Sequence, residues 1–104
     1  SWGNLVVNNR DPYKSGSTII ANCNWPFQFA TTYQCSPTDE SCQAATNWQV
    51  TKDGIMIKSS RGNNTINEGF TPNGNGTYIL TLNAACNNKK CEPISYSIVV
   101  SDCN

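Results

Sequence analysis

The chain has 104 residues, with seven Lys and Arg balancing seven Asp and Glu, 13% charged residues in all, six cysteines and no histidine. A chain of this length buries roughly two thirds of its unfolded surface, enough for one modest core, so residues 1–104 read as a single module. Sparse, balanced charge gives no field to steer nucleic acid, no run of about 18 apolar residues is present to enter a membrane, and the lack of histidine removes the usual Ser-His-Asp and Cys-His catalytic arrangements.

Period-2 alternation recurs along the chain and no window carries a helical stripe, so the expected class is all-β. In chain order the strands are expected at residues 4–8, 17–22, 27–34, 47–52, 55–59, 65–70, 78–85 and 94–101. Asp11-Pro12-Tyr13-Lys14-Ser15-Gly16 reads as a turn-rich loop between the first two. Cys23-Asn24-Trp25-Pro26 is a corner ahead of the third strand, with φ fixed at Pro26. Asp53-Gly54 supplies the two positive φ values of a type I′ hairpin turn, joining strands 47–52 and 55–59. Residues 61–64 and 71–76 are rich in Asn and Gly and read as loops at a sheet end. Seven to eight short strands with turns at this spacing indicate an antiparallel β-sandwich.

Six cysteines with no C-x-x-C pair indicate disulfides rather than a metal centre, and with them a secreted or cell-surface location. No basic-then-apolar leader is present, so the chain reads as a mature module. Calcium is a weak alternative: Asp11, Asp53 and Asp102 are oxygen donors, but no D-x-[DN]-x-[DN]-G loop holds them. Asp39 and Glu40 are adjacent carboxylates in a Pro-Thr-Asp-Glu-Ser loop, where they are expected to face water. No cofactor is expected, and the chain is read as non-enzymatic.

Trp48-Gln49-Val50 with Asp53-Gly54, Phe70-Thr71-Pro72, and Gly76-Thr77-Tyr78-Ile79-Leu80-Thr81-Leu82 resemble the polycystic-kidney-disease-type (PKD) Ig-like module, best over residues 47 to 100. The resemblance implies an Ig-like sandwich of a secreted or surface bacterial protein, with Trp48 in the core and Tyr78 as a tyrosine-corner analogue. The cysteine spacing resembles a variant of that family, and in its frame the pairing expected is Cys23 with Cys103, Cys35 with Cys42, and Cys86 with Cys91. The alternative crosses two neighbouring loops, joining Cys35 or Cys42 to Cys86 or Cys91 and so tying the two sheets together.

The aromatic residues are the remaining chemical resource, because a sugar ring stacks its C–H face on Trp or Tyr while Asn, Gln and Arg take its hydroxyls. Phe27, Phe29, Phe70, Tyr33 and Tyr96 fall on strand faces expected to be at least partly buried. That leaves Trp25, Tyr13 and Trp2, with Asn24 beside Trp25, as candidate ligand contacts. Trp25 either packs over a disulfide or stands clear of it as a sugar platform. The function expected is a non-catalytic carbohydrate-binding accessory module, monomeric and joined to neighbouring domains. The alternative is a structural spacer or adhesion repeat.

Overall fold

The computed structural model describes residues 1–10, 12–35, 45–86 and 89–103; Asp11, Asp39, Glu40 and Cys42 lie outside them. Among the described residues there are ten strands: β1 Leu5–Val7, β2 Pro12–Tyr13, β3 Thr18–Ala21, β4 Phe27–Thr32, β5 Ala45–Lys52, β6 Ile55–Gly62, β7 Thr65–Phe70, β8 Gly76–Cys86, β9 Lys89–Lys90 and β10 Ile94–Val100. All eight expected strands are present. The two additions, β2 and β9, have two residues each, too few to show alternation. Tyr13, expected in a loop, is instead paired with Leu5 on the edge of a sheet. Arg61 and Gly62, also read as loop, extend β6.

One sheet has the order β2-β1-β4-β7 and the other β3-β10-β8-β5-β6, with β9 added to β8. The second is antiparallel except for β3, which runs parallel to β10. Strand β8 thus lies between β5 and β10, as the sixth strand of an Ig-like sandwich lies between its third and seventh. The molecule is an Ig-like β-sandwich.

Local chemistry sets the corners. Asp53 and Gly54 have φ of 53° and 77°, and Lys52 pairs directly with Ile55, so the hairpin is the expected two-residue turn. Between Val50 and Thr51 the register shifts: Val50 faces Lys58 and Thr51 faces Met56, which leaves Ile57 as an unpaired bulge residue on the edge strand. Asn8 and Asn9 both have positive φ and close a turn in which the Arg10 N–H donates to the Val7 carbonyl.

The inward faces alternate as two half-buried sheets require. Tyr78, Leu80 and Leu82 of β8 meet Trp48 and Val50 of β5, Tyr96, Ile98 and Val100 of β10, and Leu5, Phe27, Phe29, Ile66 and Phe70 from the facing sheet. Trp48 is 1% exposed and stands edge-on to Phe29, with ring centroids 5.0 Å apart. The Tyr78 hydroxyl donates to the Gly74 carbonyl at 2.7 Å, the backbone tie expected of a tyrosine corner.

Among the described residues two bridges close the ends. Cys23 bonds Cys103 as expected. Cys35, however, bonds Cys86, with Cα atoms 5.9 Å apart, and not Cys42; Cys86 is therefore not paired with Cys91. The pairing of Cys35 with Cys42 and of Cys86 with Cys91 is corrected in favour of the crossed alternative. Cys35 follows β4 and Cys86 ends β8, so the two strand ends, one from each sheet, converge at the same end of the sandwich.

Candidate functional site

The corner that carries Trp25 is fixed from several directions. Asn24 adopts a left-handed conformation, φ 61°, and its N–H donates to the Pro72 carbonyl at 2.8 Å. Next to it the Cys23 N–H donates to the Asp102 carboxylate at 2.7 Å, and the bridge to Cys103 anchors the same point. Asn75 then exchanges two bonds with Cys103: its amide donates to the Cys103 carbonyl and accepts from the Cys103 N–H. This corner does not fold Trp25 inward. The indole is 68% exposed and stacks on no aromatic ring among the described residues, whereas Phe27 and Phe29, two and four residues on, are buried. The Cys23–Cys103 bridge is itself half-buried against the core.

Trp25 borders a groove of about 280 Å³ on the side of the sandwich where β2 of one sheet faces β3 of the other. Its wall brings Tyr13 from β2 and Ile20 from β3 to the same place, with Asn8, Arg10 and Asn22 at the rim. Arg10 is carried by the Asn8-Asn9 turn. Asn8 is pinned to β4, its N–H donating to the Gln28 carbonyl and its side-chain oxygen accepting from the Gln28 N–H. Trp25 and Tyr13, with the buried Phe27 behind them, thus share one groove with one arginine and two asparagines. The sequence reading found Trp25 and Tyr13 but missed Asn8, Arg10 and Asn22. The pairing of β2 with β1 and the Asn-Asn turn bring Asn8 and Arg10 there, and neither is marked by alternation; Asn22 arrives as the residue after β3.

The other two candidates fare differently. Asn24 uses its N–H structurally, and its exposed side chain is not part of the groove wall. Trp2 is not an exposed platform: it is half-buried, pairs with Tyr33 through an isolated bridge and meets the Tyr33 ring edge-on at 4.9 Å. It lines a separate groove together with Tyr33 and Tyr96.

A third groove lies on the outer face of the larger sheet. There Arg61, Asn47 and Asn83 are aligned across β6, β5 and β8, and the Asn83 side-chain amide donates to the Asn47 side-chain oxygen at 3.0 Å. At about 660 Å³ it is the roomiest of the three, yet its described walls hold Ala45, Ala85 and Pro93 and no aromatic ring. A sugar face has nothing to stack on there.

Cation chemistry has little to build on among the described residues. No group of three or more His, Cys, Asp or Glu side chains converges, and Asp102 is engaged with the Cys23 N–H. Nor does any helix there have the length and apolarity to cross a membrane.

Fold and site together define a disulfide-bridged Ig-like sandwich with an aromatic groove at one edge. Comparison with protein-family models and with curated protein sequences finds no match. Among solved structures, the CARDB domain of the PF1109 protein from Pyrococcus furiosus, in complex with di-metal ions, is similar, with a TM-score of 0.46 and 10% identity over 97% of this chain and 94% of that one.

Proposed function

We propose that the chain is a non-catalytic carbohydrate-binding module of PKD type, carried by a secreted bacterial protein that degrades chitin, cellulose or a related glycan. The observation that carries this reading is the exposed Trp25 held on a fixed corner beside Tyr13, Arg10 and two asparagines. A large indole left 68% exposed on ordered backbone gives up apolar surface to water without a packing return within the chain. Stacked under a pyranose ring it recovers that surface, and little conformational entropy is lost on binding because the corner is already set. The groove's volume sits at the lower edge of the range of about 300–1,000 Å³ typical of small-ligand sites, which suits one or two sugar rings and a modest affinity. Attachment to a catalytic neighbour would then act through effective concentration at the substrate surface.

Insoluble chitin, cellulose and mannan should be mixed with the chain and the supernatant assayed. Depletion by at least one of them, lost in Trp25→Ala and kept in Tyr13→Phe with unchanged melting temperature, is the expected result. Equal depletion by the Trp25→Ala variant overturns the assignment of this groove.

The second reading, a spacer or adhesion repeat, has one observation in its favour. The edge strand β6 exposes Ile55, Met56 and Ile57 in succession, at 67%, 54% and 50%. An apolar edge of this kind suits packing against a neighbouring module. No depletion by any glycan, with dimerisation or domain packing lost in Ile55→Lys, would favour that reading.

A further inference from the structure

The groove on the outer face of the larger sheet has a low floor between two cationic sides. Ala45 of β5 faces Ala85 of β8, and Ala85 in turn faces Lys90 of β9, so one cross-strand row ends in a lysine. In the next row on the same face Arg61 of β6 faces Asn47, and Asn47 faces Asn83. The two alanines leave a depression among longer side chains, and β6 and β9 flank it three strand spacings apart, about 14 Å. Arg61 and Lys90 both line the groove, both are exposed, and its described wall holds no carboxylate. Glu92, next to Pro93, lines the Trp2 groove instead, and Asp39 and Glu40 lie outside the described residues. Within the second row, the bond from the Asn83 amide to the Asn47 side-chain oxygen fixes what each asparagine still offers. Asn47 keeps its NH₂ hydrogens to donate, and Asn83 keeps its side-chain oxygen to accept.

We propose that this groove binds a uronic acid, a sugar whose ring carries a carboxylate, by its charged edge. The planar fork of Arg61 matches the two carboxylate oxygens, Lys90 adds a point charge from the opposite side, and Asn47 supplies a neutral donor between them. A ring hydroxyl near the carboxylate donates to the Asn83 oxygen, which a simple carboxylate such as acetate cannot do. The same chemistry accounts for a groove of about 660 Å³, roomy enough for a whole ring, that has no aromatic wall: charge and hydrogen bonds hold the ligand, and stacking does not. Both cations stay in contact with water, so the affinity is modest and falls as salt is added. The groove shares no residue with the one that Trp25 borders. The choice of a sugar as the carrier of the carboxylate rests on the carbohydrate reading of the chain; the charge chemistry does not.

The ¹⁵N-labelled chain tests this, with the side-chain NH₂ signals of Asn47 and Asn83 and the Nε–H signal of Arg61 as reporters of the groove. Titration with galacturonate at low salt should shift all three. Galactose should shift none, and acetate should need a concentration about tenfold higher. Arg61→Gln and Lys90→Gln, both on the surface, should each weaken the galacturonate response of Asn47 about five- to tenfold, and added salt should weaken it in the parent chain. Asn83→Ala should bring galacturonate and acetate to within about twofold of each other. Reporters that stay still, that answer galactose equally, or that answer acetate or inorganic phosphate as readily as galacturonate overturn the proposal, as does an undiminished response in Arg61→Gln. Depletion of the chain by an insoluble glycan with these reporters unmoved by galacturonate leaves the Trp25 reading standing and removes this one. A galacturonate response with no depletion by any insoluble glycan does the reverse.

Discussion

At one end of the sandwich the Cys23–Cys103 bridge sits in a mesh where Asp102 accepts from the Cys23 N–H, Asn75 exchanges two bonds with the Cys103 backbone and the Asn24 N–H donates to the Pro72 carbonyl. At the other, the Cys35–Cys86 bridge stands beside Trp2 and Tyr33, and the same groove reaches Tyr96, with two buried donors unmet by the described chain. Both ends close a β-sandwich with a disulfide, so the contrast is in what surrounds each bridge. A satisfied end contributes stability and holds a side chain out rigidly. An end with unmet donors gives up some stability.

The largest test removes each bridge in turn. In the chain-entropy model the 80-residue separation of Cys23 and Cys103 is worth about 4.5 kcal/mol and the 51-residue separation of Cys35 and Cys86 about 4.1 kcal/mol. Loop length alone therefore makes the two nearly equal. Paired Cys→Ser variants measured by guanidinium unfolding should both lose about 4 kcal/mol, with Cys23→Ser/Cys103→Ser the worse, because it also loosens the mesh. If removing Cys35–Cys86 costs clearly more, the mesh holds its end without the bridge. Non-reducing peptide mapping should return a peptide joining residues 35 and 86.

The next largest effect tests the mesh directly. Asn75→Ala deletes both bonds to the Cys103 backbone and should cost about 1–2 kcal/mol, since each exposed bond is worth roughly 0.5–1.5 kcal/mol net. Tyr78→Phe removes the single tie to Gly74 and should cost about 1 kcal/mol. Both are read from denaturant midpoints at constant m-value. Trp25→Ala at this same end should change stability by less than about 0.5 kcal/mol, because the side chain is mostly in water.

The two ends also differ in how far the sequence reveals them. The Asp53-Gly54 turn is readable from local residue type, whereas the Cys23–Cys103 pairing, the Tyr78 corner and the burial of Trp48 are readable through the resemblance to an Ig-like frame. Trp25 is readable as a corner residue, but whether it covers the bridge depends on where Asn24 and Pro72 place the chain. The Cys35–Cys86 bridge is legible only as the alternative, since short loops invite a local pairing and the convergence of β4 and β8 is what selects the crossed one. The groove partners of Trp25 and Tyr13 were also hidden: β2 is two residues long, and Arg10 reaches the groove through a turn whose two asparagines look like ordinary loop composition. Trp2, expected as an exposed ligand contact, packs on Tyr33 because Gly3 pairs its N–H with the Thr32 carbonyl and draws the first residues along β4.

The smallest effect separates the ends by pH. Burial raises the Tyr96 pKa in the folded chain above its value of 10.0 in the unfolded one. Below that value both states keep the proton, and the contribution of Tyr96 to stability is constant. Above it the unfolded state releases the proton while the folded state holds it, so stability falls until the pH passes the raised folded value. Denaturant midpoints measured from pH 9 upward should therefore decline with a slope that Tyr96→Phe reduces. The Tyr96→Phe chain should meanwhile match or exceed the parent at neutral pH, because a buried hydroxyl without an acceptor is removed and the ring is kept. A clear loss of stability at neutral pH would mean that the hydroxyl is already satisfied in the free chain, and the contrast between the two ends would shrink to the mesh alone.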